Sequence, residues 1–289
     1  MVVACVERAD SLAGCIDSIR ASCGAIEVEI VAVVAGDIVE KSSFVTDHPG
    51  VRLISLPSSA LVPQLWSEGI VASRGQVVAI TLCQCSATKE WANAILSAIK
   101  AGASAAGGPI VLRASASMLD SAVFFLRYSA FMSETSMAHA TTVEVAGDNA
   151  AYSRHALGQG GWIRESGFWE VDVHQVLRRR GDSIAWVPAA KMEFANAGSL
   201  SAISHHRYEH GKLFGQSRHI ARGESVFRIA LASPVVPFVL MTRAARRAWP
   251  FKEYRTKLLG SLPAFAWLAG CWALGEAVGA VEAGIANRR

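Results

Sequence analysis

No zinc spacing, no disulfide framework and no internal repeat can be read in this chain, and each absence removes a class of protein. The six cysteines, at 5, 15, 23, 83, 85 and 271, are too scattered to staple a chain of 289 residues. Cys83 and Cys85 stand one residue apart without a second Cys or His pair, a poor metal set, and read best as small buried hydrophobes. Met1 leads straight into an apolar run without the pattern of a signal peptide, so a reducing cytoplasm is expected. Charge is scarce too. Charged residues make up 18% of the chain and the net charge is +4, much of it in one carboxyl-terminal loop, so nucleic acid is not an expected partner. The most telling gap lies in ITLCQCSATK, residues 80 to 89, which contains no carboxylate at all.

What is present alternates. Val2 to Val6 is a short apolar run, and Arg8 to Arg20 then carries Leu12, Cys15, Ile16 and Ile19 at the spacing of one helix face, behind Asp10 and Ser11 as caps. Val28 to Val34 is a β-branched run that suits a strand buried on both faces. A third strand is expected at 51 to 56, a helix at 63 to 73, a fourth strand at 76 to 82, and a helix at 89 to 101 closed by Gly102. Strands alternating with helices predict an open, mostly parallel α/β sheet with helices on both faces. Ligands bind such sheets beyond the carboxyl ends of the strands. The residues there are Glu7 and Arg8, Gly36 and Asp37, and Cys83 to Ser86. Glu7 and Asp37 suit the base or ribose of a nucleotide; nothing after the fourth strand suits a cation that would screen its diphosphate.

These segments, ADSLAGCIDSI, EIVAVVAGD, EGIVASRGQVVAITL and CSATKEWANAIL, come in an order that resembles the amino-terminal half of family 2 glycosyltransferases of GT-A fold. AAGGPI at 105 to 110 is similar to that family's fifth strand, and VAGDNAAYSRHAL at 145 to 157 to its acceptor-side strand and helix. GFWEVDVHQVLRRRG at 167 to 181 resembles the stretch with its catalytic acids and basic helix. The resemblance covers roughly residues 1 to 215. It implies transfer of a sugar from a nucleotide-sugar to a lipid-linked or saccharide acceptor by direct displacement, with a carboxylate as general base.

By this resemblance Glu170 falls at the base, Trp169 at the acid before it, and Asp172 is the reserve; without it, Glu170 reads as an ordinary acid flanking a surface helix. Asp148, Asn149 and Trp169 are the implied acceptor-side residues. Asp148 and Asn149 read equally as caps of a helix from Ala150 to Leu157. The family's metal motif maps onto Leu82, Cys83 and Gln84, and its base-gripping acids onto Val34 and Ala35. A magnesium or manganese ion needs hard oxygen ligands, so no metal is expected through that motif. The donor is then expected to be held by Glu7, Asp37, Arg74, Gln84, His210 and Lys212, with HHRYEHGKLFG as a clamp over the diphosphate or as an amphipathic helix on membrane headgroups. Arg74 and Arg154 are expected to face the carboxyl edge of the sheet.

The last seventy-odd residues differ in kind. Val226 to Thr242 is apolar apart from Arg228 and broken by Pro234 and Pro237; Leu258 to Ile285 is apolar apart from Glu276 and Glu282. Arg243, Arg246, Arg247, Lys252, Arg255 and Lys257 lie between them. Two apolar segments around a basic loop suggest a helical region at 216–289 attached to an anionic membrane surface on its cytoplasmic face, following a GT-A-like domain at 1–215. The first segment is short for a span and reads as interfacial or re-entrant. A small soluble helical domain is the other reading, and a binding or scaffolding subunit without catalysis is the rival function.

Overall fold

The computed structural model describes residues 1–6, 9–37, 44, 46–133, 136–137, 143–158, 167–195, 197–220 and 223–286. Glu7 and Arg8 lie outside the described residues. The chain forms two compact units, one from 1–113 and 131–195, the other from 114–130 and 196–289. The expected boundary at 215 differs: residues 114–130 and 196–215 pack with the carboxyl-terminal helices.

The first unit runs β1 (Val2–Cys5), α1 (Ala9–Cys23), β2 (Ile30–Ala35), β3 (Val51–Leu56), α2 (Val62–Ala72) and β4 (Val77–Leu82). It continues with β5 (Cys85–Ala87), α3 (Trp91–Lys100), β6 (Ala105–Gly107) and β7 (Ile110–Leu112). A 3-10 turn at Gly147–Asn149, β8 (Ala150–Ser153), α5 (Arg154–Leu157), α6 (Glu170–Arg180), β9 (Ile184–Trp186) and β10 (Met192–Phe194) complete it. Seven strands form the main sheet in the order β3-β2-β1-β4-β8-β6-β9. Only β8 runs antiparallel to its neighbours β4 and β6. The expected α/β fold with a mostly parallel sheet and flanking helices is therefore the observed one.

Its causes are local. Every side chain of β1 and β2 is buried, which is why both read as unbroken apolar runs. Leu12, Cys15, Ile16 and Ile19 of α1 are buried as the helical spacing requires. Glycines 24 and 102, both at positive φ, end α1 and α3. Two features were not legible. β5, inside the gap at 80 to 89, joins β10 and β7 in a second small sheet, so those residues serve pairing. And Ala150–Ser153 is a strand in register with β4, which removes the expected helix from Ala150 to Leu157. Only its end, Arg154–Leu157, is helical.

The second unit contains α4 (Met118–Tyr128), α7 (Leu200–Ile220), α8 (Val226–Ala232), a 3-10 turn at Ser233–Val235, α9 (Val236–Ala248) and α10 (Lys252–Ala286). Helices α7 and α10 approach through glycine. A Cβ on Gly211 would meet the Trp272 carbonyl and one on Gly215 the Glu276 carbonyl; Gly275 and Gly279 stand likewise against the backbone of Tyr208 and Lys212. Each pair is spaced four residues apart, as close backbone contact along one face demands. The two acids of the apolar stretch from Leu258 to Ile285 are both paired with groups outside α10. Glu276, 1% exposed, receives Arg218 Nη1 at 2.6 Å and Ser233 Oγ at 3.3 Å, while Glu282 binds Lys212 Nζ at 2.9 Å.

Residues 226–248 and 252–286 are each helical, long and apolar enough to cross a membrane by length and composition. The Pro234 break falls in the 3-10 turn between α8 and α9. Phe227, Leu231, Phe238, Trp249, Trp267 and Leu274 are all more than half exposed.

Replacing Gly215 by Ala should force the two backbones apart and destabilise the second unit by about 1–3 kcal/mol. Gly270, also in α10 but with open space around it, is the control: Gly270→Ala should be neutral or stabilising by about 0.5–1 kcal/mol. Thermal unfolding of the full chain measures both, and equal midpoints would refute the tight seam.

Candidate functional site

Beyond the carboxyl ends of β1, β2 and β4 the chain brings a turn, a helix start and an indole together. The turn is Gly147–Asn149, set beside the end of β4 because Ala150 pairs with Ile80. Thr81 Oγ1 donates to the Asp148 carbonyl at 2.7 Å, and Trp66 Nε1 donates to the Thr81 carbonyl at 2.9 Å. Glycines at 107 and 108 make room. A Cβ on Gly107 would overlap the Asn149 carbonyl and Val145, and one on Gly108 the carbonyls of Val187 and Ala190. That accounts for the two glycines of AAGGPI.

Asn149 is fully buried. Its Oδ1 accepts from Trp91 Nε1 at 2.7 Å, and its Nδ2 donates to the carbonyls of Ala190 at 2.8 Å and Pro109 at 3.1 Å. Both amide hydrogens are used, so the residue expected to touch an acceptor supports the turn from below instead. Asp148 beside it is buried.

Glu170 opens α6 and lies over this turn. Its carboxyl carbon is 3.2 Å from the place a Gly147 Cβ would occupy, with the Trp66 ring at 3.0 and 3.1 Å from the same point. A carboxylate in the first turn of a helix is favoured by the helix dipole. Trp169, half-buried, is the extended residue that begins the helix. Asp172 is exposed and points from another face of α6, two residues and about 200° further round. Glu170 and the Gly147–Asn149 turn therefore come together; Asp172 does not join them.

A buried network that the sequence did not announce lies on the same face of α6. His174, four residues after Glu170 and fully buried, donates Nδ1–H to Glu144 Oε2 at 2.8 Å, and its Nε2 lies 2.9 Å from Tyr152 Oη. Arg178, another turn on, pairs with Glu144 Oε1 at 2.7 Å. The Tyr152 ring stands edge-on to Phe168, which is edge-on to Trp66. Burial, then the Glu170 and Glu144 charges, push the Tyr152 phenol well above its usual range, so it keeps its proton. The i, i+4, i+8 spacing of Glu170, His174 and Arg178 was the available signal.

The donor-side expectations fare unevenly. Asp37 follows β2 at the carboxyl edge and is exposed, and Gln84 follows β4, half-buried, with its carbonyl accepting from Ala195. Arg74 precedes β4 and so stands at the opposite, amino edge of the sheet, its backbone N–H on Glu29 Oε2 at 2.7 Å. Arg154 is at that edge as well, because β8 is antiparallel; its guanidinium donates to the carbonyls of Ile70, Ser73 and Gly75. His210 and Lys212 belong to α7 in the second unit. Burial, then the charges of Arg127 and Arg207, lower the His210 pKa to about 3, which makes it a neutral group at physiological pH. Lys212 holds Glu282.

Where the resemblance implies a metal, the residues do not fit one. Cys83 is buried, and its hydrogen bond with Cys5, then burial, hold it as a thiol; burial, then Cys85 and Cys5, do the same for Cys15. Neutral thiols of this kind are a core cluster and a poor match for a hard divalent ion. Among the described residues, no group of three or more His, Cys, Asp or Glu is arranged to hold a metal.

No family model and no curated protein matches the chain. Among solved structures it is similar to glucosyl-3-phosphoglycerate synthase from Mycobacterium tuberculosis in complex with Mn2+, UDP and phosphoglyceric acid, at 13% identity, 72% of this chain, 74% of that one and a TM-score of 0.46. A mycobacterial protein gives 16% identity, 72% and 70% coverage and 0.46. A mannosyltransferase from Pyrobaculum calidifontis in complex with GDP-Man and Mn2+ gives 16% identity, 99% and 74% coverage and 0.45.

Two outcomes follow from the site's geometry. Asn149→Ala leaves an indole N–H and two carbonyls without their partner and should cost about 3 kcal/mol or more, at 1–3 kcal/mol per buried group; a loss below 1 kcal/mol in denaturant unfolding would show that Asn149 is not the support described. Burial pushes the Glu144 carboxyl upward, but the hydrogen bond and charge of His174 and then Arg178 outweigh it and bring its pKa below 4.5. A lowered carboxylate contributes stability above about pH 4.5 that is lost as pH falls through its folded value. The unfolding midpoint of the wild type should therefore drop more steeply than that of Glu144→Gln as the pH is lowered from about 5, and parallel curves would remove Glu144 from the acid response.

Proposed function

We propose that this chain is a membrane-associated glycosyltransferase of the GT-A type, acting at the cytoplasmic face on a lipid-linked or polysaccharide acceptor. The observation that carries the proposal is Glu170 lying over the Gly147 turn, on the motif whose sequence resembles the catalytic stretch of family 2 glycosyltransferases. A half-buried carboxylate held against this turn can take the proton of a hydroxyl brought within hydrogen-bond reach of it. The acceptor hydroxyl gives its proton to Glu170 as its oxygen bonds to the anomeric carbon; the bond from that carbon to the diphosphate oxygen breaks, and the nucleoside diphosphate leaves with the electron pair. Asp148 and Trp169 flank the acceptor, with Asn149 as the support beneath. On the donor side Asp37, Gln84 and Glu7 are the candidates for the nucleotide. Arg74 is not among them, given its edge, and a neutral His210 brings no charge to a diphosphate. Lys212 would have to leave Glu282 to do so. The thiol cluster speaks against a metal held by the usual motif.

That cluster also favours a second reading, a GT-A-type domain that binds or scaffolds without transfer, since it replaces the residues that would hold the diphosphate's cation. Donor binding separates the two. Calorimetry with UDP-, GDP- and dTDP-sugars, with and without Mn2+, should give one donor that binds equally well in both; no binding of any donor would leave the scaffolding reading. For that donor, Glu170→Gln should lower kcat by at least about 100-fold while its Kd stays within about threefold. Unchanged turnover would exclude Glu170 as the base and overturn the mechanism proposed.

A further inference from the structure

The second unit holds an open cavity of about 660 Å3, within the size range of small-molecule sites. Much of its wall is apolar: Leu126, Val235, Val239, Leu240 and the Trp272 ring. Its charged groups are unequally matched. Glu224 and Glu276 both engage Arg218, and Arg243 is exposed to solvent. Arg207 has neither arrangement. Its Nε is buried and makes no hydrogen bond, and its guanidinium stands over the Trp272 ring, 6.0 Å from the centroid. Among the described residues, no carboxylate pairs with it.

Arg207 is half-buried, and a guanidinium whose Nε is shut away from water without an acceptor is costly unless something answers it. Burial, then the Arg127 charge, lower the Arg207 pKa to about 9, which still leaves it protonated at pH 7. His206 and His210 offer no negative charge. The missing partner is an anion, and the apolar wall states what the anion is attached to. A small hydrophilic anion would leave the wall of Val235, Val239 and Leu240 wet, and a neutral lipid would leave Arg207 unpaired. A long-chain phosphate answers both. Exposed Leu231 and Phe238, on α8 and α9, extend the apolar surface outward from the cavity wall.

We propose that this cavity binds the phosphate end of a long-chain amphiphile, with Arg207 donating to the phosphate and the α9 wall covering the first part of the chain. The site stands apart from the transferase reading and does not rest on it. A guanidinium suits a phosphate because its donors form a planar fork.

Isothermal titration of the full chain with dodecyl phosphate, below its micelle concentration, should show one saturable site. Arg207→Gln should weaken it by about tenfold or more, the size of one charge-assisted pair. Val239→Trp, which fills the apolar wall and leaves Arg207 in place, should weaken it similarly. Unchanged binding by these two variants overturns the proposal, as does inorganic phosphate or dodecyl maltoside binding as tightly as dodecyl phosphate. If Arg207→Gln fails to fold, Val239→Trp and the two ligand comparisons decide alone. Competition then identifies the source: displacement by phosphatidate in vesicles marks a bilayer lipid, displacement by farnesyl phosphate a lipid-linked substrate, and displacement by neither overturns the site. Because none of these readouts involves sugar transfer, their failure leaves the Glu170 reading untouched, and the reverse also holds.

Discussion

One buried amide ties the first unit's working edge together. Asn149 joins α3 through Trp91, the β6–β7 connection through Pro109 and the turn before β10 through Ala190. Because its donors and acceptor are answered inside the protein, the turn it belongs to is fixed from three directions. Glu170 lies against Gly147, where an added Cβ would stand 3.2 Å from its carboxyl carbon and press it aside. The order of dependence runs from amide to turn to carboxylate, and the chemistry proposed sits at its end.

The α/β alternation was legible because burial on both faces leaves β2 no room for a polar residue, and burial on one face leaves α1 the spacing of Leu12, Cys15, Ile16 and Ile19. The three-residue strands β5 and β10 are too short for any period to emerge, so the pairing of Cys85–Ala87 with β10 could not be read from the stretch at 80 to 89. Arg74 was misplaced for a different reason. Its charge suits a phosphate, but which edge of the sheet it occupies depends on whether it precedes or follows β4, and it precedes. Asn149 matched its motif, yet an asparagine facing a ligand and one facing three segments of its own chain look alike in sequence. The pairing of Tyr152, His174 and Glu144 brings together residues from a strand, a helix and a loop, which only the folded chain can show.

In the second unit the acids that made a hydrophobic helix look unsuited to an apolar setting turn out to be answered. Glu276 meets Arg218 from 58 positions away, and Glu282 meets Lys212. A carboxylate cancelled by a neighbouring helix no longer argues for water around α10. Among the described residues that line the cavity, the same pairing leaves Arg207 with a buried Nε and no carboxylate, so the charge balance there directs attention to the cavity.

The glycine seam between α7 and α10 has a kinetic corollary. With Gly211 and Gly215 set against the carbonyls of the facing helix, and Gly275 and Gly279 set in return, a slide of one helix along the other would carry these glycines out of register and bring side chains against backbone. Sliding at this seam therefore meets a steric resistance that rotation of the two helices as one body does not.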